Sequence, residues 1–158
     1  MSVKAKVSAS LVIGVLVAGV AAGCATKPKM VGSGDIVADR QRLMKLNGAS
    51  WADVQAKAKA GQIEAIAVNA ETMALNSMHI PSMFPEGSLT EKSKAKPEVW
   101  QKWAEFEAAA KNMETEASKL REAAKAKNAD LTQAIVKDFG KNACGTCHTP
   151  FRVPPPRS

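Results

Sequence analysis

PEVWQKWAEFEAAAKNMETEASKLREAAKAKNADLTQAIVKDFGKNACGTCH, Pro97 to His148, is the stretch whose reading decides the fold. Proline has a fixed φ and no N–H to lose, so Pro97 suits the first position of a helix. Behind it Trp100, Trp103, Phe106, Ala110, Met113, Ala117 and Leu120 recur at spacings of three and four, one face of a helix running to about Lys127. A turn at Lys127-Asn128-Ala129 leads into a last helix with Leu131, Ile135, Phe139 and Ala143 facing inward. The terminal PFRVPPPRS, rich in proline, is expected to stop it.

The same periodicity extends toward the N-terminus. A first helix begins near Ser33 or Asp35, both good N-caps, and runs to about Ala60, where Gly61 ends it. Its inward stripe is Ile36, Arg40, Leu43, Met44, Asn47, Trp51 and Val54. A second, from about Gln62 to Met78, offers Ile63, Ile66, Ala70, Met73 and either Leu75 or Ser77. HIPSMFPEGSLTEKSKAKP, with Pro81, Pro85, Gly87 and Pro97, has the composition of a long connection. Alternating Val/Ile/Thr runs are absent, so no strand is expected. Four helices joined by two short turns and one longer link make an all-α, antiparallel four-helix bundle. The chain has 158 residues, 46% of them hydrophobic, which suits one globular domain plus processing segments.

Residues 1–23 are expected to be a signal peptide: Lys4 and Lys6 without an acid, then the apolar LVIGVLVAGVAAG ending in small residues. A membrane span is the alternative, but the uncharged run from Val7 to Ala25 is rich in Ala, Gly and Ser and only just reaches the ~20 residues a span needs. AAGC, Ala21 to Cys24, resembles the lipobox of bacterial lipoproteins, although that pattern prefers Leu where Ala21 stands. Ordinary cleavage after Val20-Ala21-Ala22 would leave Cys24 as an odd thiol in an oxidising compartment, which favours lipidation of Cys24. Removing residues 1–23 takes away two lysines and lowers the net charge from +7 to +5. Residues 24–34 then form a polar linker, 35–150 the domain and 151–158 a tail. A mildly basic surface suits acidic redox partners or anionic lipid headgroups, or is simply a solvated face. No nucleic acid partner is expected.

CGTCH, Cys144 to His148, carries the chemistry. C-x-x-C-H is the signal for covalent haem attachment. Cysteines at i and i+3 of a helix share one side, so both sulfurs can reach the vinyl groups of one porphyrin, and His148 follows as an iron ligand. A thioredoxin-like dithiol would need a strand–helix–strand setting, and a zinc site would need four ligands from three Cys and two His. A disulfide between adjacent helical turns would be strained.

The tail AIVKDFGKNACGTCHTPFR resembles the last helix of the cytochrome c-prime superfamily, the class II c-type cytochromes, whose haem motif is C-terminal and followed by an aromatic and a basic residue, here Phe151 and Arg152. The likeness extends to RQRLMK at Arg40 to Lys45, FPEGS at Phe84 to Ser88 and PEVW at Pro97 to Trp100. It implies a four-helix bundle holding one covalent haem c at one end, and often a homodimer through the first two helices, although no decisive apolar stripe is evident on their outer faces.

In that superfamily the position four residues after the first-helix arginine faces the distal side of the haem, which here is Met44. Five-coordinate members carry a non-ligating group there. The pattern Arg40-x-x-x-Met44-Lys45 matches the low-spin c-five-five-six branch, and implies that the Met44 thioether is the sixth iron ligand; without that pattern, Met44 would read as core filler. The equivalent of Arg40 approaches a haem propionate, and Arg152 is a comparable cation on the proximal side; the alternative for each is to snorkel to solvent. His79 reads as a surface residue, and Trp51, Trp100, Trp103 and Phe106 as core aromatics. The expectation is a periplasmic electron carrier rather than an enzyme, acting with redox partner proteins, soluble or lipid-anchored. The rival is a five-coordinate haem protein binding nitric oxide or carbon monoxide; a third is a tethered component of a larger membrane complex.

Overall fold

The structure, a computed structural model, describes residues 34–155. The expected signal peptide, Cys24 and most of the linker lie outside the described residues. Helix α1, Ile36–Lys59, starts where the Asp35 carboxylate accepts hydrogen bonds from the N–H groups of Val37 (3.0 Å) and Ala38 (3.1 Å). It ends in a Schellman turn: Gly61 takes φ +71°, and Gln62 N–H donates to the Lys57 carbonyl at 2.9 Å. Helix α2 is Ile66–His79, four residues later than the expected start, because 3-10-type bonds from Ile66 to Ile63 and from Ala67 to Glu64 use residues 63–66 as a connector.

The next helix is in two pieces, α3 (Glu98–Gln101) and α4 (Trp103–Lys125), separated at Lys102, which leaves helical geometry at φ −123°, ψ 49°. That break turns Val99 into the core and leaves Trp100 half-buried, with its indole N–H donating to the carbonyls of Phe84 and Pro85 at 3.1 Å each. Helix α5, Ala129–Phe139, is capped by Asn128 and continues through a π-helical turn, Gly140–Gly145, into α6, Thr146–Phe151. Proline does not stop this helix as expected. Pro150 lies inside α6, one residue before its end, where few later hydrogen bonds are left to lose. Phe151, assigned to the tail by sequence, is 4% exposed. Arg152 joins an antiparallel bridge to Ala95, with Lys96 N–H donating to the Phe151 carbonyl (2.9 Å) and Val153 N–H to the Lys94 carbonyl (2.8 Å).

Cross-links fix the helix directions. Lys57–Asn69 and Asn76–Asn47 make α1 and α2 antiparallel, Arg121–Glu71 and Lys127–Glu64 do the same for α2 and α4, and Gln133 to the Ala58 carbonyl with Trp51 stacked on Phe139 for α1 and α5. Among the described residues the fold is therefore an all-α, antiparallel four-helix bundle. Its core is in two parts. At one end Val54, Ile66, Met73, Met113, Leu120 and Phe139 pack together; at the other, Leu43, Ile80, Met83, Phe84, Val99, Phe106 and Phe151 do. Each large side chain buried this way contributes about 1.5–3 kcal/mol. Leu131, expected inside, is 49% exposed and Thr132 is buried in its place, because steps of four drift away from a period of about 3.6 residues, and Thr132, seven residues before Phe139, shares its face.

Candidate functional site

The second part of the core encloses a cavity of about 430 Å³, inside the ~300–1,000 Å³ range of cofactor pockets. Helix α1 supplies Arg40, Gln41, Met44 and Lys45; the connection after α2 supplies Ile80, Phe84, Lys94 and Ala95. Val99 and Phe106 form the floor, and Cys147, His148, Phe151 and Arg152 come from α6 and the residue after it. Met44, Arg40, Cys147, His148 and Arg152 thus meet at one site although more than 100 residues of chain separate the first group from the second. Cys144 does not line the cavity. It lies in the π-helical turn, half-buried against the far core near Phe139 and Ala143. The sequence reading treated 144–148 as regular helix; the wider turn changes how the two cysteines are presented, and such turns recur at functional sites.

Residues the sequence did not single out hold this turn. Asn112 of α4 donates through Nδ2 to the Asn142 carbonyl (2.6 Å) and Thr146 Oγ1 (3.3 Å), and Thr146 Oγ1 in turn donates to the Ala143 carbonyl (2.8 Å). Arg40 does not snorkel. Buried at 5% exposure, its guanidinium donates to the Ser88 carbonyl (3.2 Å), Ser88 Oγ (3.1 Å) and Ser93 Oγ (3.4 Å), and stacks 4.2 Å over the Phe84 ring. Its Nε is buried with no hydrogen-bond partner, a donor that a carboxylate would satisfy. Burial lowers the Arg40 pKa, and the charge of Asp35 partly restores it.

Burial pushes the Cys147 thiol up to about 11, with the charge of Cys144 adding to it, and raises Cys144 as well, so both are neutral thiols at neutral pH. His148 is exposed as a residue, yet lost hydration and then the Arg152 charge lower its pKa. It is therefore held as the neutral imidazole, the form with a lone pair free for a metal. The walls fit a haem: the Cys147 thiol, an imidazole and a thioether as donors, apolar Ile80, Phe84, Val99, Phe106 and Phe151 for the ring, and cations for carboxylates. None of the three tryptophans lines the cavity; Phe84 and Phe106 do, and they pack edge-on 4.8 Å apart. His79 is exposed at the end of α2, as expected.

The family model described as Cytochrome C' matches residues 35–152. The chain belongs to the cytochrome c′ family. Relatives are cytochrome c-556 of Agrobacterium fabrum, 31% identical over 134 residues (83% of this chain, 89% of that protein), and cytochrome c-554 of Cereibacter sphaeroides, 39% identical over 82 residues, where the match spans 50% of this chain and 52% of that protein. Among solved structures, cytochrome c′ from Rubrivivax gelatinosus superposes with a TM-score of 0.67 at 27% identity, and a nitric oxide complex of a mutant cytochrome c prime from Alcaligenes xylosoxidans with 0.68 at 25%; each is covered completely, by 79% and 80% of this chain. Membership of the cytochrome c′ family brings with it a covalently bound haem c. Members of the cytochrome c′ family are generally electron carriers or gas binders and generally periplasmic.

Proposed function

We propose that this cytochrome c′ family member is a monohaem electron carrier of the periplasm, with haem c attached through Cys144 and Cys147 and iron held between His148 and Met44. The observation that carries this reading is the meeting of Met44 from α1 with Cys147 and His148 from α6 in one cavity. When bound, the haem supplies a one-electron couple, and the chain's residues set its surroundings. His148 offers a neutral nitrogen and Met44 a soft thioether that favours the ferrous state. Phe84, Val99, Phe106 and Phe151 exclude water, and Arg40 and Arg152 offer cations to the propionates. With the iron held by both His148 and Met44, no exchangeable site would be left for a substrate, which favours a carrier over an enzyme. Cys24 as a lipidated N-terminus belongs to the same reading, and mass spectrometry of the mature N-terminus tests it.

Optical spectra of the holoprotein, ferric and ferrous, with and without carbon monoxide, test the ligation beside a Met44→Ala variant. A low-spin spectrum with the weak long-wavelength ferric band of sulfur ligation, indifferent to carbon monoxide and lost in the variant, is expected. A high-spin spectrum that shifts with carbon monoxide and is the same in the variant overturns Met44 ligation. It would favour the second reading, gas binding, which the likeness to a nitric oxide complex supports. Pairing of two copies through α1 and α2 also gains support: Leu46, Val68, Leu75 and Met78 are 51–72% exposed there, an apolar face that the sequence pattern did not make evident.

A further inference from the structure

Helices α1 and α6, which carry Met44 and His148, do not approach each other: no Cα of α1 comes within 8 Å of one in α6, nor of one in α3 or α4. Packing on α2 along its side and on α5 at the far end leaves α1 without a helix to rest on across the cavity. The connection after α2 fills that gap, and Ser93 is its hub. Ser93 Oγ accepts from Arg40 Nη1 of α1 (3.4 Å) and from the Ala95 N–H (3.1 Å). Ala95 pairs with Arg152 in the antiparallel bridge, and the Arg152 N–H donates to the His148 carbonyl at 3.2 Å. Ser88 doubles the hold on α1. Its carbonyl and Oγ both accept from Arg40 Nη2, and its Oγ donates to the Pro85 carbonyl at 2.7 Å. Gln41, the next residue of α1, donates to the Lys92 carbonyl at 3.0 Å. A hydrogen-bonded strap therefore runs round the cavity from Arg40, one turn before Met44, to the backbone of His148. Ser88 and Ser93 are in the strap but do not line the cavity.

We infer that Ser88 and Ser93 are positioning residues for the sixth iron ligand: by tying α1 to α6 they keep Met44 within reach of the iron, and their loss opens the distal position to a diatomic gas. The inference rests on the reading of Met44 as a ligand and adds to it which residues outside the cavity decide between electron transfer and gas binding. A thioether is a weak axial ligand that tolerates little displacement, so a slight outward movement of this end of α1 is enough to release it.

The test measures the carbon monoxide affinity of the ferrous holoprotein in Ser88→Ala and Ser93→Ala, each made in the parent and in a Met44→Ala background. Met44 and carbon monoxide compete for one position, so a weaker Met44 bond reads as tighter gas binding. Groups outside the ligand shell change metal affinity roughly 10–100-fold, so each serine variant is expected to raise the apparent affinity about tenfold and to weaken the long-wavelength ferric band. In the Met44→Ala background neither should change the affinity, because no ligand is left to position. Ser93→Thr, which keeps the hydroxyl, should bind as the parent does. Amide hydrogen exchange at Ala95 reports independently of the iron that Ser93→Ala has cut the strap. Faster exchange there with unchanged affinity and an unchanged band would overturn the inference and leave the carrier reading standing. Equal gains in both backgrounds would overturn it in favour of a strap that only obstructs access. Tight binding by the parent that Met44→Ala does not alter would overturn the carrier reading, and the inference with it, before any serine is changed.

Discussion

Replacing Arg40 with leucine should loosen the connection between α2 and α3 more than it disturbs the helix that carries Arg40. The guanidinium makes three hydrogen bonds to Ser88 and Ser93, and its stacking on Phe84 adds a cation–π contact. Hydrogen bonds to a charged group contribute about 1.5–3 kcal/mol each and a partly desolvated cation–π pair about 1–2. Against these stands the desolvation that lowers the Arg40 pKa, and the Nε that has no partner. Leucine recovers part of the burial but leaves Ser88 Oγ and its carbonyl without that donor, so a net loss of about 2–4 kcal/mol is expected. In a domain of this size that lowers Tm by roughly 5–15 °C. Arg40→Lys should lose about half as much, since one ammonium cannot span Ser88 and Ser93 as the planar fork does. Thermal unfolding of the holoprotein measures the total, and amide hydrogen exchange at residues 88–93 locates it. A loss under about 1 kcal/mol, or protection lost in α1 rather than in 88–93, would refute the claim that Arg40 latches this connection.

Three further outcomes are expected. Thr132→Val should raise stability by about 1 kcal/mol, because Thr132 Oγ1 is fully buried with no hydrogen-bond partner and an apolar group of the same shape removes that desolvation cost; a lower midpoint in denaturant would show that the hydroxyl is satisfied. Lys127→Gly should stabilise by ~0.5–1 kcal/mol, since Lys127 ends α4 at φ +56° in a left-handed position that glycine adopts freely, and the exposed pair with Glu64 that it gives up is worth little. Asn112→Ala should cost about 1 kcal/mol and lower the yield of covalently attached haem, measured by mass spectrometry, because the Asn142 carbonyl of the turn presenting Cys144 loses its donor; unchanged yield would mean that the turn holds without it.

The chemistry of the site was legible because it is written locally. C-x-x-C-H at 144–148 is contiguous, and Arg40-x-x-x-Met44-Lys45 lies within two turns of one helix, where the resemblance to a family gave it meaning without the fold. The helices and most of their inward faces followed from spacing for the same reason. Less legible was the wall opposite α1. Ile80, Phe84 and Ser88 are buried within a stretch whose prolines and glycine read as a long connection, and nothing in a local pattern says that Arg40, about 50 residues earlier, reaches across to hold it.

Local departures from regular helix were also beyond the sequence. The break at Lys102 and the π-helical turn at 140–145 each shift side chains by part of a turn and so decide what faces inward. By itself the sequence determined the class of fold and the attachment motif, since these depend on residue type at short spacing, whereas Met44 stood out from other core methionines only through the resemblance to a family. Only the tertiary structure decided that Met44 and His148 share a cavity, that Arg40 also holds a loop, and that Cys144 sits apart from Cys147. Those depend on which distant segments the packing of apolar faces brings together.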